Sequence, residues 1–171
     1  MKNLLFFPII MLLLCCSAQN PIEMDKAKLT SSNCPTEGEC NVELVKNKSL
    51  NIKRDDFGSL YYQLLESTDK SVIVYRLSKD RDETLQDSGY SENILIEVNN
   101  DNSDVSLSGK ELAGANILFG RHSFSRTGNG NFKVSDGNLV IKRQSGKLLI
   151  SFQFSVPEVP HIIKNIEIEV Q

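Results

Sequence analysis

From Val42 to the C-terminus, apolar residues recur mainly at every second position, the period of strands with one buried face. The clearest runs are Ile94, Ile96, Val98; Leu148, Ile150, Phe152, Phe154, Val156; and Ile166, Ile168, Val170. In the last run the alternate positions are Asn165, Glu167 and Glu169, so one face is apolar and the other wet. The same pattern predicts strands at 41–46, 49–53, 58–66, 71–78, 105–107, 117–125, 131–135 and 138–143.

Turn chemistry separates these runs: Asn47-Lys48, Ser67-Thr68-Asp69, Gly128-Asn129-Gly130, Asp136-Gly137-Asn138 and Ser145-Gly146. Links this short predict antiparallel neighbours and leave no room for crossover helices. The expected fold is all-β, an antiparallel sandwich or barrel of about 8–10 strands with one short helix. That helix is expected after Ser108, where Ser108 and Glu111 have the spacing of a capping box and Leu112 faces inward. The polar stretch 79–89 is the longest insertion between strands.

The first 16 residues have a different texture. Met1-Lys2-Asn3 is followed by an apolar run from Leu4 to Leu14 broken only by Pro8. About twenty apolar residues are needed to span a bilayer, so this run has the length of a signal-peptide core and not of an anchor. Its end, Leu13-Leu14-Cys15-Cys16, resembles the lipobox of bacterial lipoproteins, and the residue usage is similar to that of small lipoproteins of the Bacteroidota. The resemblance implies a cut before Cys16, acylation of its thiol, and attachment to the cell envelope through the lipid. Ser17, in place of an aspartate, implies the outer membrane over the inner one. A rival cut after Ala18 would release a soluble secreted protein. The expected organisation is a signal peptide at 1–15, a flexible polar tether at 16–33, and one β domain at 34–171.

Charge and cysteine content narrow the functions. Lys2 is one of 19 basic residues and none of the 22 acidic ones lies in the leader, so the mature chain has 18 against 22, a net charge of −4. That balance argues against nucleic acid as a partner and against a protein surface that grips anionic lipid. Cys34 and Cys40 form an isolated pair, which in an exported chain is expected to be a structural disulfide. A redox motif has two intervening residues rather than five, and zinc needs further ligands nearby.

No catalytic or cofactor motif is legible, and no cofactor is expected. Asn100-Asp101-Asn102-Ser103-Asp104 with Glu111 has the ligand spacing of a calcium loop, but Val105 stands where that loop turns on glycine. An Asn/Asp-rich turn is the expectation there. Arg121, His122 and Arg126 are the candidate ligand contacts; alternation on a strand puts Arg121 on one face and His122, Phe124 and Arg126 on the other, with Phe124 inward. Of Tyr61 and Tyr62, at least one must point inward for the same reason. The expected function is therefore that of a non-enzymatic, lipid-anchored module binding an unknown protein or small molecule, the alternative being a lipocalin-like barrel that carries a hydrophobic molecule.

Overall fold

A computed structural model describes residues 30–31, 33–79, 89–101, 103–125 and 127–170. The leader, the tether up to residue 29, Cys16, Arg126 and most of the polar insertion at 79–89 lie outside the described residues. The strands are β1 (Thr30–Ser31), β2 (Gly38–Val45), β3 (Lys48–Arg54), β4 (Leu60–Glu66), β5 (Lys70–Lys79), β6 (Tyr90–Asn99), β7 (Val105–Ser108), β8 (Ile117–Ser123), β9 (Gly130–Lys133), β10 (Asp136–Gln144), β11 (Lys147–Ser155) and β12 (Asn165–Val170). They form two antiparallel sheets, ordered β1-β12-β11-β10-β7 and β2-β5-β6-β8-β9-β4-β3. Thr30–Ser31, at the end of the expected tether, pairs with β12.

The two sheets enclose one main core and close no barrel. Ile73, Tyr75, Leu77, Ile94, Ile96 and Phe119 from the larger sheet meet Leu139, Ile141, Ile150, Phe152, Phe154, Ile166 and Ile168 from the smaller. In β11 and β12 the sequence alternation is faithful, because their other face meets solvent. In β5, β6 and β8 it is not: Val72, Leu95 and Leu118 are as buried as their neighbours. The β3–β4 hairpin supplies the reason. It lies across the outer face of the larger sheet, where Leu50 joins Val45, Val72, Leu95 and Leu118 in a second core, with Tyr62 and Leu64 against it. Tyr61, on the opposite face of β4, is exposed. Strands covered on both sides are apolar at consecutive positions.

This arrangement changes the role of several turns. The links at 46–47 and 67–69 join strands that are not sheet neighbours, because the hairpin leaves the sheet plane at both. Asn100 clamps these two corners: its Nδ2 donates to Asn47 Oδ1 (3.4 Å) at the first and to the carbonyls of Thr68 (3.1 Å) and Lys70 (3.2 Å) at the second, and its Oδ1 accepts from the Ser71 hydroxyl (2.6 Å). Glu97 ties the hairpin down from the sheet side, accepting the backbone N–H of Leu50 at 2.7 Å. Asp136-Gly137-Asn138 is no turn either. The chain passes there from the larger sheet to the smaller, and Gly137 already pairs with Phe154 inside β10. Glycine is required at 137 because a Cβ would lie 2.2 Å from the Gln153 carbonyl oxygen, with φ at +145°.

The short helix exists but not as a capping box. Gly109–Gly114 is a 3₁₀-helix whose N-cap Ser108 makes no side-chain bond to it. Ser108 is the last residue of β7, and Gly109 turns the chain at φ +52°, so the hydroxyl is not aimed at the following N–H groups. Leu112 is fully buried, as the pattern requires.

Candidate functional site

The predicted disulfide joins Cys34 to Cys40, with Cα atoms 5.7 Å apart. Cys40 sits on β2, and the buried Tyr75 on β5 donates its hydroxyl to the Cys40 sulfur at 2.9 Å. The bridge therefore pins residues 34–37 to an edge strand and to the core behind it.

Arg121 and His122 lie near the end of β8 and point to opposite faces, as alternation dictates. His122 is exposed. Arg121 turns inward and packs over the Tyr90 ring, with the guanidinium carbon 5.2 Å from the ring centroid. Its Nε donates to the Tyr90 oxygen (3.3 Å) and its Nη1 to the carbonyls of Thr127 (3.3 Å) and Gly128 (2.9 Å). Phe124 differs from expectation: it is 71 % exposed. The face that His122 and Phe124 share is the outer one, because Ile117, Phe119 and Arg121 take the core side, and the strand stops at Ser123, whose N–H donates to Asn129 Oδ1 at 2.7 Å.

Tyr90 in turn donates its hydroxyl to Glu92. Burial, and next the hydrogen bond to Glu92, push the Tyr90 phenol up to about 12, with Arg121 opposing. Glu92 is fully buried and accepts the backbone N–H groups of Ile162 (2.7 Å) and Ile163 (2.8 Å). Beside it, His161 Nε2 accepts the N–H of Val156 at 3.1 Å, which leaves Nδ1 as the protonated nitrogen, donating to the Ile163 carbonyl at 2.6 Å. The His161 ring stacks on Phe154. This cluster reads as chemistry in a list of residues, yet its polar atoms fasten the 156–164 loop and the β8–β9 turn across one end of the sandwich. Glu92 carried no sequence signal, standing between Ser91 and Asn93 ahead of the apolar run that begins at Ile94.

The acidic turn after β6 holds its own side chains. Asp101 accepts from the hydroxyl and N–H of Ser103, which keep its carboxyl below the usual range, and Asp104 accepts the Arg143 N–H at 2.9 Å. Together with the Asn100 clamp, these bonds turn the oxygens of 100, 101 and 104 onto the chain's own donors; Asn102 lies outside the described residues. Among the described residues no group of three His, Cys, Asp or Glu side chains is placed to hold a metal.

The surface offers two grooves of note. One, of about 540 Å³, lies on the outer face of the smaller sheet, where Val140 and Leu149 form an apolar floor flanked by Lys142, Ser151, Glu167 and Glu169. Register sets these side chains in rows: Lys142, Leu149 and Glu169 run side by side across β10, β11 and β12, and Val140, Ser151 and Glu167 form the next row. The other, of about 550 Å³, opens where β4 meets β9 at a single residue pair, between Arg54, Leu60, Asn131, Phe132 and Lys133. Neither was visible in the sequence, because each assembles the wet positions of separate strands.

No family model, no curated protein and no solved structure matches this chain. Fold and surface define a two-sheet antiparallel sandwich domain with a packed interior and its concave features on the outside.

Proposed function

We propose that the protein is a non-enzymatic, lipid-anchored component of the bacterial cell envelope, placed at the outer membrane, whose β-sandwich is a binding module. The apolar run ending in Leu13-Leu14-Cys15-Cys16 is the observation that carries the anchoring, with Cys16 as the acylated residue and more than one acyl chain needed for durable attachment. The disulfide Cys34–Cys40 is consistent with an oxidising compartment. The binding role is supported by the position of the concave surfaces. The interior is filled by side chains, which disfavours a carrier of hydrophobic molecules, while the groove over Val140 and Leu149 is open to a partner or small molecule.

Intact mass of the mature protein, with its N-terminus identified, tests the anchoring. An acylated Cys16 is the expected result. A free Gln19 would replace the reading with that of a soluble secreted domain.

A further inference from the structure

Lys70 opens β5 and Asn99 closes β6, and the two are direct cross-strand partners. Lys70 Nζ donates to Asn99 Oδ1 at 2.5 Å, so an amine stands against an amide carbonyl. Glu97, two residues back along β6, has its Oε1 4.0 Å from the same Nζ. Alternation puts Lys70, Glu97 and Asn99 on one face of the larger sheet, the face that carries Val72 and Leu95 of the second core. The Lys70 side chain is 31 % exposed and that of Glu97 only 13 %. Glu97 is held in place besides: Oε2 accepts the Leu50 N–H at 2.7 Å and Oε1 the Asn116 amide at 3.2 Å. Lys53 and Gln63 make the same kind of contact at 2.9 Å, but on an exposed face. Partial burial and the fixed carboxylate set the group at Lys70 apart.

We propose that Lys70 and Asn99 join in an intramolecular isopeptide bond, formed by the chain itself with Glu97 as the proton carrier. Glu97 takes one proton from the Lys70 ammonium, and the freed lone pair of Nζ attacks Asn99 Cγ once a turn about Cβ–Cγ brings that carbon round. The Nζ–Cγ bond forms and the Cγ–Nδ2 bond breaks. The proton held by Glu97 and a second one from Nζ pass to Nδ2, which leaves as an ammonium ion. An ammonium and an amide thus become an amide and an ammonium, Glu97 is regenerated, and no co-reactant is consumed. Amides resist amines in dilute solution, but partners held in contact reach effective molarities of roughly 10⁵–10⁸ M. Shielding from water on the Glu97 side strengthens the electrostatics of the proton transfers. The product ties two interior strands of the larger sheet together and closes residues 71–98 into a covalent loop. This inference goes beyond the binding role and depends neither on it nor on acylation of Cys16.

Mass spectrometry of the reduced mature protein tests it. The expected intact mass lies about 17 Da below that required by its sequence and N-terminus, the loss of one ammonia. An N-terminal Gln19 would cyclise with the same loss, so a tryptic map of the denatured chain locates the change. The expected product is peptide 55–76, uncut at Lys70, joined to peptide 82–110. Lys70→Arg and Asn99→Ala should each lack the joined peptide and regain the missing mass. Glu97→Gln, checked for folding by circular dichroism, should form the bond at least about tenfold more slowly, as loss of a proton-transfer group does. Separate peptides 55–70 and 82–110 from the unaltered protein would overturn the proposal, as would a joined peptide that persists in Lys70→Arg. A bond that forms at the same rate in Glu97→Gln would overturn the chemistry assigned to Glu97. The joined peptide and the N-terminal residue are read separately, so failure here and failure of the anchoring are told apart.

Discussion

The carboxylate of Glu92, on β6, holds the backbone N–H groups of Ile162 and Ile163 at 2.7 and 2.8 Å, seventy residues further along the chain. With Tyr90 donating as well, a fully buried charge is satisfied by three donors, and the loop before β12 is fixed to the larger sheet. Hydrogen bonds to a charged group are worth roughly 1.5–3 kcal/mol each, and removing an acceptor strands its donors. Glu92→Ala should therefore destabilise the fold by about 3 kcal/mol, and Glu92→Gln by about 2 kcal/mol because one N–H would face an amide NH₂. Urea unfolding of both variants checks this; losses below about 0.5 kcal/mol would mean the loop is held by other contacts.

Tyr90 predicts an alkaline limit. Its phenol is raised in the folded state to about 12, above the ordinary tyrosine value of 10.0. The neutral phenol is thus favoured by folding. Its contribution is complete below the unfolded value and is lost as pH rises from there through the folded one. Stability should fall across that window, and Tyr90→Phe should flatten the fall. Ultraviolet titration of tyrosinate, run beside denaturation at each pH, reads both; an unchanged slope in the variant would remove Tyr90 as the cause.

The second core should behave as a core although it is built by an edge hairpin. Leu50 is 2 % exposed and packs against both Leu95 and Leu118. Leu50→Ala is expected to cost roughly 2–4 kcal/mol. A loss near zero would show that the hairpin adjusts around the gap and that the outer face of β6 and β8 is not tightly covered.

Two glycines should respond unequally to alanine. At Gly120 a Cβ would lie 2.0 Å from Asn93 Oδ1, a side-chain atom with some freedom to move. At Gly137 it would meet the backbone oxygen of Gln153, under a φ of +145°. Gly137→Ala should lower the thermal midpoint further than Gly120→Ala, the latter costing about 1–3 kcal/mol as overpacking does. The reverse order would place the strain at the wrong glycine.

Reducing Cys34–Cys40, or replacing both cysteines with serine, should cost about 2 kcal/mol, the chain-entropy value for so short a loop. Comparing denaturation with and without reductant measures it. A larger loss would indicate that the Tyr75 hydroxyl depends on the intact bridge for its partner.

Much of the architecture was legible because exposure writes itself into alternation. β11 and β12 have one wet face, and their residue pattern states it position by position. The doubly covered strands were harder: Val72-Ile73-Val74-Tyr75 and Ile94-Leu95-Ile96 are runs whose second face could be assigned only once the β3–β4 hairpin was in place. Asp136-Gly137-Asn138 misled for a similar reason. Its residues suit a turn, but the glycine serves close packing beside Gln153, a contact with a strand that follows it in the chain.

The sequence by itself determined the all-β class, the pairing of Cys34 with Cys40, the inward Leu112 and the opposed faces of Arg121 and His122, because each follows from local periodicity or short separation. Tertiary structure alone decided that Asn100 clamps two corners, that Arg121 serves Tyr90 and two carbonyls, and that Lys142, Leu149 and Glu169 stand in one row. Those relations join residues tens of positions apart. Register and sheet order create them, and neither is encoded in the pattern of any single strand.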